Sequence, residues 1–385
     1  MVYYLETYNQ GDKGKHAEDS DKIVESFLRS YNDEPAPLQI SVRLRGIGVA
    51  ITPFEATLRT VKFEFDSTHD TKKTYELDTI QLSLRRPNED DLKESREQLA
   101  AYDIRGMFDK PSAILEIKMN MAPSMLRNEQ IIGFSHIVTL IEKVLLSLKL
   151  FNVIDVVLLN TIIKYESIIN VLGFGNAIGL GPSLNVVPFL THSGMLKVEK
   201  YQSFESFLNY IATSTSYNYR EWRESNLMAC DMYAEAIQGD IPNEKRITYV
   251  IIGIESLLSN SNLEIKYRLS LNVSKLMSLF IKEDGAEILA KLKLAYDIRS
   301  DYAHGNREKL KKDLSRIKER HGDENAFTKD LLGYLSKSII IALGIDRGSR
   351  GKFIADLEAL LVTSNKETID KFICSYIEPN KTYLT

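Results

Sequence analysis

The stretch that decides the fold is LQISVRLR, residues 38–45. Its apolar residues occupy every second position, and polar or charged residues fill the positions between them. The apolar set is Leu38, Ile40, Val42 and Leu44; the polar set is Gln39, Ser41, Arg43 and Arg45. Side chains of a strand point alternately to its two faces, so this period predicts a β-strand with one buried face.

The same period returns three times further along the chain. It occurs at Val61-Lys-Phe-Glu-Phe65, at Ile80-Gln-Leu-Ser-Leu84 and at Leu115-Glu-Ile-Lys-Met-Asn-Met121. We expect a short helix around Glu94–Met107 between the third and fourth of these strands. Amphipathic strands without regular helical spacers predict an antiparallel sheet with one face in water.

The apolar pattern then changes to a helical one. Residues 128–170 are almost uniformly apolar, and we expect a buried helix packed on the sheet. Residues 171–195 are rich in Gly and Pro and predict loops with short extended pieces. From Tyr201 nearly to the end the spacing is helical, with a helix start at Pro242-Asn-Glu244 and breaks at Gly285 and Gly305.

These patterns predict an α+β protein. A weakly ordered polar lead-in covers residues 1–35. A mixed domain built mainly on an antiparallel sheet covers residues 36–195, and an all-α domain covers residues 196–385.

Composition narrows the class of protein. The chain has 385 residues, a formal net charge of −4 and two cysteines, Cys230 and Cys374. This excludes a disulfide framework and a polycation, so nucleic acid would have to bind at a local patch. The most apolar stretch is too charged for a bilayer, and the N-terminus lacks the pattern of a signal peptide. We expect a cytoplasmic protein without membrane contact.

Familiar motifs for metals and cofactors are missing. The sequence contains no CxxC and no HExxH, and its glycine-rich segments fit neither a dinucleotide fold nor a phosphate loop. No cofactor and no metal site are predicted.

One segment, residues 291–305, does indicate chemistry. The helical spacing of this segment and the residues just before it predicts a buried stripe of Ile288, Leu292, Ala295 and Tyr302, and Arg299 falls on that stripe. An arginine on an apolar face needs a carboxylate, a phosphate or a cleft. His304 stands before Gly305 at the expected helix end, where the helix dipole favours a protonated imidazole. An arginine that grips phosphate and a histidine that exchanges protons can together cleave a phosphodiester without metal.

The Arg-x4-His spacing alone is weak evidence for a catalytic site, because Arg316 and His321 repeat it. The context differs. Arg316 lies in a strongly charged segment that predicts a solvated helix, whereas Arg299 lies on a core stripe. Five helical residues turn the chain so that Arg and His lie about 140° apart, which lets them flank one cleft.

The segment Tyr249-Val-Ile-Ile-Gly-Ile-Glu255-Ser-Leu-Leu, followed by Tyr296-Asp-Ile-Arg299-Ser-Asp-Tyr-Ala-His304-Gly305, resembles the HEPN superfamily, and within it the Apea-like branch of bacterial defence proteins. The resemblance covers residues 218–345. It implies an α-helical bundle that dimerises, with the Arg-x4-His motifs of two protomers lining a shared cleft. Ser300 stands where many catalytic members have a larger polar residue.

The resemblance implies a metal-independent endoribonuclease, of the kind that acts as a bacterial toxin or anti-phage effector. Arg299 and His304 are its predicted catalytic residues. Ser300 and Tyr302 would help to position the phosphate or serve only packing and capping. Glu255 is either an ion-pair partner of Arg299 or an exposed glutamate at the edge of its stripe.

Seven basic and three acidic residues lie between Arg307 and Arg320. This run either follows the RNA backbone or is a solvated face; its candidate RNA-binding residues are Arg307, Lys309, Lys311, Lys312 and Arg316. The main alternative to a nuclease is a non-catalytic HEPN module that binds nucleic acid or a protein partner, as an antitoxin does. The two-part architecture predicts that the N-terminal domain is a sensor or specificity module, which restrains the nuclease until a regulatory partner or a phage trigger arrives.

Overall fold

A computed structural model describes residues 25, 28–29, 32–65, 73–93, 111–126, 135–152, 156–165, 178–180, 194–213, 220–238, 241–259, 265–281, 283–345 and 350–384. These residues form two compact units. The first takes its described residues from 1–45, 49–141 and 158–185, and the second from 46–48, 142–157 and 186–385. The predicted domain limits at residues 35 and 195 stay predictions.

The first unit contains a six-stranded sheet. Its strands are β1 (Ala36–Arg45), β3 (Phe54–Phe65), β4 (Lys73–Arg85), β5 (Ala113–Met121), β6 (Val157–Tyr165) and β7 (Ile178–Leu180), in the order β3-β4-β5-β1-β6-β7. The pairs β1/β5, β3/β4, β4/β5 and β6/β7 are antiparallel. The α+β class is therefore confirmed, with the antiparallel sheet in the N-terminal region and helices after it.

The period-two stretches are strands, as predicted. Along β1 and β5 the apolar side chains are buried, and most of the residues between them are part-exposed or exposed. Arg43 is an exception, since its predicted place on the wet face is wrong: it is only 2% exposed. It lies opposite Ile114 on β5 and interacts electrostatically with Asp91, a carboxylate held 2.6 Å from Arg85 Nη1. The negative charge of Asp91 acts on the buried guanidinium in the favourable direction.

The apolar region 128–170 is only partly helical. Helix α1 covers Ser135–Asn152, but Val157–Tyr165 is the strand β6, so the expectation of helix there is wrong. Three successive residues of β6, Thr161, Ile162 and Ile163, are β-branched and buried, a composition that favours a strand. The short helix expected around 94–107 lies outside the described residues.

The second unit is mainly helical, as the spacing after Tyr201 predicts. A two-stranded sheet joins β2 (Ile47–Val49) and β8 (Gly194–Leu196). The described helices are α2 (Tyr201–Thr213), α3 (Arg220–Ala236), α4 (Asn243–Leu258), α5 (Ile265–Ser278), α6 (Gly285–Ala303), α7 (Arg307–His321), α8 (Glu324–Gly344), α9 (Arg350–Ala359), α10 (Lys366–Phe372) and α11 (Lys381–Leu384).

Helix α4 is the centre of this unit, because it packs against α3, α5, α6 and α8. Its buried residues are Ile247, Thr248, Val250, Ile251, Gly253, Ile254, Leu257 and Leu258. At Gly253 the neighbours approach closely: an added Cβ would lie 2.9 Å from Leu335 Cδ2 on α8. This packing fixes the position of the turn of α4 that carries Glu255.

Among the described residues, no helix is both long enough and apolar enough to span a lipid bilayer.

Candidate functional site

Helix α6 positions the candidate catalytic residues. It begins at Gly285, where the Asp284 carboxylate accepts a hydrogen bond from the Ala286 backbone N–H, 3.3 Å away. The predicted buried residues Ile288, Leu292 and Ala295 are buried, and burial along α6 ends at Ile298.

The prediction that Tyr302 belongs to the buried stripe is wrong. Tyr302 is 39% exposed, because the last turn of α6 extends beyond the part of the helix that the core covers. Tyr302 lies between Arg299 and His304 in the sequence, and its phenol ring is therefore in contact with solvent.

The guanidinium of Arg299 is held by one carboxylate and one aromatic ring. Its Nη2 atom donates a hydrogen bond to Glu255 Oε2 on α4, 3.1 Å away, and its Cζ lies 5.6 Å from the centre of the Tyr296 ring. The Arg299 side chain keeps 29% of its surface exposed. Within the described residues, its other guanidinium nitrogens donate no hydrogen bond. They are the donors with which an arginine can bind a phosphate.

Glu255 is the ion-pair partner rather than an exposed glutamate, since its side chain is only 17% exposed. Its second oxygen, Oε1, is buried and accepts no hydrogen bond from any described residue. Burial raises the pKa of Glu255 above its ordinary value, although the Arg299 guanidinium acts in the opposite direction. Burial and then the Glu255 carboxylate raise the pKa of Tyr296.

His304 stands at the end of α6. Its backbone N–H donates to the Ser300 carbonyl oxygen, 3.0 Å away, and Gly305 follows with a φ of +68°. A positive φ favours glycine, because a Cβ disfavours that conformation. The imidazole is exposed and makes no hydrogen bond, ion pair or ring contact with another described side chain. Exposure leaves it accessible to a substrate and to solvent protons.

Ser300 lies part-exposed on the same last turn of α6, and its hydroxyl makes no hydrogen bond within the described part of the chain. Its backbone carbonyl, which accepts from His304, links it to the helix end.

Helix α7 starts immediately after the His304 turn and carries the basic run. Four of the five candidate RNA-binding residues are exposed: Arg307, Lys309, Lys311 and Lys312. Arg316 differs, because its Nη1 donates to the Oδ1 atom of the buried Asp313 at 2.8 Å. In the second Arg-x4-His motif, the His321 ring packs 5.2 Å from the Phe327 ring. Both residues of that motif therefore have a local partner: Arg316 contacts Asp313, and His321 contacts Phe327.

Sequence reasoning missed Tyr296 as a neighbour of the Arg299–Glu255 pair. Its position three residues before Arg299 placed both on one side of a helix, and an aromatic ring there can stack on the guanidinium. Reasoning also passed over Lys245, whose ammonium group lies 5.5 Å from the centre of the Tyr249 ring on α4.

The described residues contain no group of three or more His, Cys, Asp and Glu side chains arranged to hold a metal ion.

No family model, curated protein or solved structure matches this chain.

Proposed function

We propose that the chain is a metal-independent endoribonuclease of the HEPN type. The observation that carries this proposal is the construction of the last two turns of α6. A part-buried arginine keeps guanidinium donors available beside its Glu255 ion pair, and an exposed histidine ends the same helix five residues later. The residues are the phosphate-binding and proton-transferring types that RNA cleavage needs.

In this mechanism the ribose 2′-oxygen attacks the adjacent phosphorus and the bond from phosphorus to the 5′-oxygen breaks. His304 accepts the 2′-hydroxyl proton, and His304 of a second copy protonates the leaving 5′-oxygen. Arg299 stabilises the negative charge of the pentacoordinate phosphorane. The products are a 2′,3′-cyclic phosphate and a 5′-hydroxyl, so DNA, which lacks the 2′-hydroxyl, resists cleavage.

Other residues support Arg299 and His304 in this mechanism. Glu255 holds Arg299 through their ion pair. Ser300 and Tyr302 contact the bound phosphate from the last turn of α6. The exposed basic residues of α7 bind the RNA backbone through charge.

In this proposal, two copies of the chain form a homodimer through the HEPN-like helical bundle. The proposed role is that of a bacterial toxin or an anti-phage effector. In that role the N-terminal sheet unit binds a regulatory partner or a phage trigger and releases the nuclease.

A second candidate function is a non-catalytic HEPN module that binds nucleic acid or a protein partner. The Arg299–Glu255 ion pair favours this second function, because an arginine that already has a carboxylate partner can have a purely structural role. The two functions differ in their dependence on His304.

The test compares purified wild type with His304→Ala on labelled RNA of mixed sequence in the presence of EDTA. The proposal expects wild type to cleave the RNA to cyclic-phosphate ends and His304→Ala to lose at least a hundredfold in rate, the usual scale for removing a general base. A DNA strand of the same sequence should remain intact.

The second Arg-x4-His motif supplies the matched control. His321→Gln removes a histidine at the same spacing, and we expect it to cleave at the wild-type rate. Loss of activity in both variants, or in neither, contradicts the assignment of His304. Binding of RNA by wild type and His304→Ala alike, without cleavage by either, supports the binding module instead.

A further inference from the structure

Tyr296 is a neighbour of the candidate catalytic arginine that the proposed mechanism does not use. It precedes Arg299 by three residues on α6, a spacing that brings two side chains together on one side of a helix. The Arg299 Cζ atom lies over the Tyr296 ring, 5.6 Å from its centre. A guanidinium within about 6 Å of the centre of an aromatic ring is attracted to the ring face. The two side chains therefore form a cation–π contact.

Glu255 holds the same guanidinium from another helix. Its Oε2 atom accepts a hydrogen bond from Arg299 Nη2, 3.1 Å away, and helices α4 and α6 pack against each other. One hydrogen bond fixes one atom of a guanidinium but not the direction of its plane, whereas an aromatic ring against the group also restricts the plane. The carboxylate and the ring therefore constrain Arg299 in different ways.

This arrangement leaves part of Arg299 available to a ligand. The Arg299 side chain keeps 29% of its surface exposed, and Tyr296 is part-exposed beside it. Burial and then the Glu255 carboxylate raise the pKa of Tyr296, so the phenol keeps its proton at neutral pH. A neutral phenol does not replace Glu255 as the anionic partner of the guanidinium. The ring can thus support the cation without neutralising its charge.

We propose that Tyr296 is a positioning residue of the ribonuclease site and acts through Arg299. The Tyr296 ring and the Glu255 carboxylate together hold the guanidinium in the orientation that binds the phosphorane. This proposal rests on the proposed nuclease function, because it assigns Tyr296 to the same reaction. A charge that is already oriented stabilises a transition state without reorganising during the reaction. Loss of the ring should therefore slow the chemical step more than it weakens RNA binding.

The test measures kcat and KM of the full chain on single-stranded RNA of mixed sequence with EDTA present. Tyr296→Leu removes the ring and should lower kcat about tenfold, within the range of one cation–π contact, with KM changed by less than about twofold. Tyr296→Phe keeps the ring, and its kcat should stay within about twofold of wild type. Such a rescue assigns the effect to the ring rather than to the hydroxyl.

A second cation–π pair involving α6 provides the matched control. Lys293 Nζ lies 5.2 Å from the centre of the Tyr267 ring on α5, and Tyr267 is 53% exposed. Tyr267→Leu makes the same substitution beside a cation other than Arg299, and it should leave kcat and KM unchanged. Urea denaturation of each variant measures the purely structural effect of the loss of a ring.

Crystal structures of the variants give a readout that does not need cleavage. Tyr296→Phe should keep the Arg299 Nη2 hydrogen bond to Glu255 Oε2, whereas Tyr296→Leu should show the guanidinium in more than one orientation. A single, unchanged guanidinium position in Tyr296→Leu overturns the proposal.

The kinetics can overturn it independently. A wild-type kcat in Tyr296→Leu together with reduced stability would show a purely structural ring, and an equal loss of kcat in Tyr267→Leu would show that the effect does not depend on Arg299. The nuclease function fails separately, if wild type does not cleave RNA. In that case the crystal structures still decide whether Tyr296 orients Arg299.

Discussion

The Nη2 atom of Arg299 lies 3.1 Å from Oε2 of Glu255, and this ion pair joins helix α6 to helix α4. Its two members are more buried than most surface ion pairs. Burial raises the pKa of Glu255 even in the presence of the guanidinium. Glu255 Oε1 nevertheless finds no hydrogen-bond donor among the described residues. The pair therefore fixes Arg299 through one of its nitrogens and leaves others for a ligand.

The first prediction concerns this pair. Glu255→Ala leaves the part-buried guanidinium without its carboxylate and should lower the free energy of unfolding by about 1–3 kcal/mol, whereas Glu255→Gln keeps an acceptor and should cost less. Urea denaturation measures both. Glu255→Ala and Arg299→Ala should be non-additive when combined, since each removes the same contact. Additive losses would show that the two side chains do not stabilise each other.

Much of the fold could be predicted because some patterns have a single interpretation. The alternation at residues 38–45 fits only a strand with one buried face. The apolar region that contains α1 and β6 has a helical period in its first part and then continues as an apolar run, and such a run does not distinguish a buried strand from a buried helix. The separation of α1 from β6 was therefore not predictable from the apolar pattern.

The candidate site was partly predictable for a similar reason. Helical spacing placed Arg299 on the inner side of α6, and the ion pair with Glu255 explains how a cation remains there. Spacing does not show where the core ends, so Tyr302 was wrongly expected to be buried. Tyr296 also interacts with Glu255 on another helix, and no local pattern encodes that contact.

The second prediction concerns the packing that positions Glu255. Gly253→Ala places a Cβ 2.9 Å from Leu335 Cδ2, and Leu335 is fully buried and has little room to move. The substitution should lower the free energy of unfolding by about 1–3 kcal/mol, the usual cost of overpacking. It should also lower cleavage activity, because a shifted α4 displaces the carboxylate that holds Arg299.

Gly333→Ala is the control, since nothing lies within 4 Å of an added Cβ at that position in α8. It should raise stability by up to about 1 kcal/mol, because alanine is the better helix former. Similar results for the two substitutions would show that close packing at Gly253 does not matter.

The third prediction concerns pH. Lys143 on α1 is buried, and its ammonium group donates to the Ala212 carbonyl oxygen, 3.2 Å away. Burial lowers the pKa of Lys143 from 10.5 to about 8. Between these values the unfolded chain binds more protons than the folded one, so the free energy of unfolding rises with pH. This contribution is complete above about pH 10.5 and is lost as the pH falls through about 8.

Urea denaturation between pH 7 and pH 10 tests this dependence. Lys143→Met should lack the rise, and its stability relative to wild type should fall by about 2–3 kcal/mol across that window. The exposed Lys200→Met should follow the wild-type curve at every pH. Parallel curves for wild type and Lys143→Met would mean that Lys143 titrates like an exposed lysine.

The fourth prediction separates the basic residues of α7 by their ion pairs. Lys311 and Lys312 are exposed, whereas Arg316 donates to the buried Asp313 at 2.8 Å. In the His304→Ala background, Lys311→Gln and Lys312→Gln should each reduce the slope of log Kd against log salt by about 0.7, the value for one lost contact with single-stranded RNA. Arg316→Gln should leave that slope nearly unchanged, because its charge is already used by Asp313. It should instead lower the free energy of unfolding by up to about 1 kcal/mol. A reduction of the salt slope by Arg316→Gln equal to that of the lysine variants would show that Arg316 binds RNA despite its ion pair.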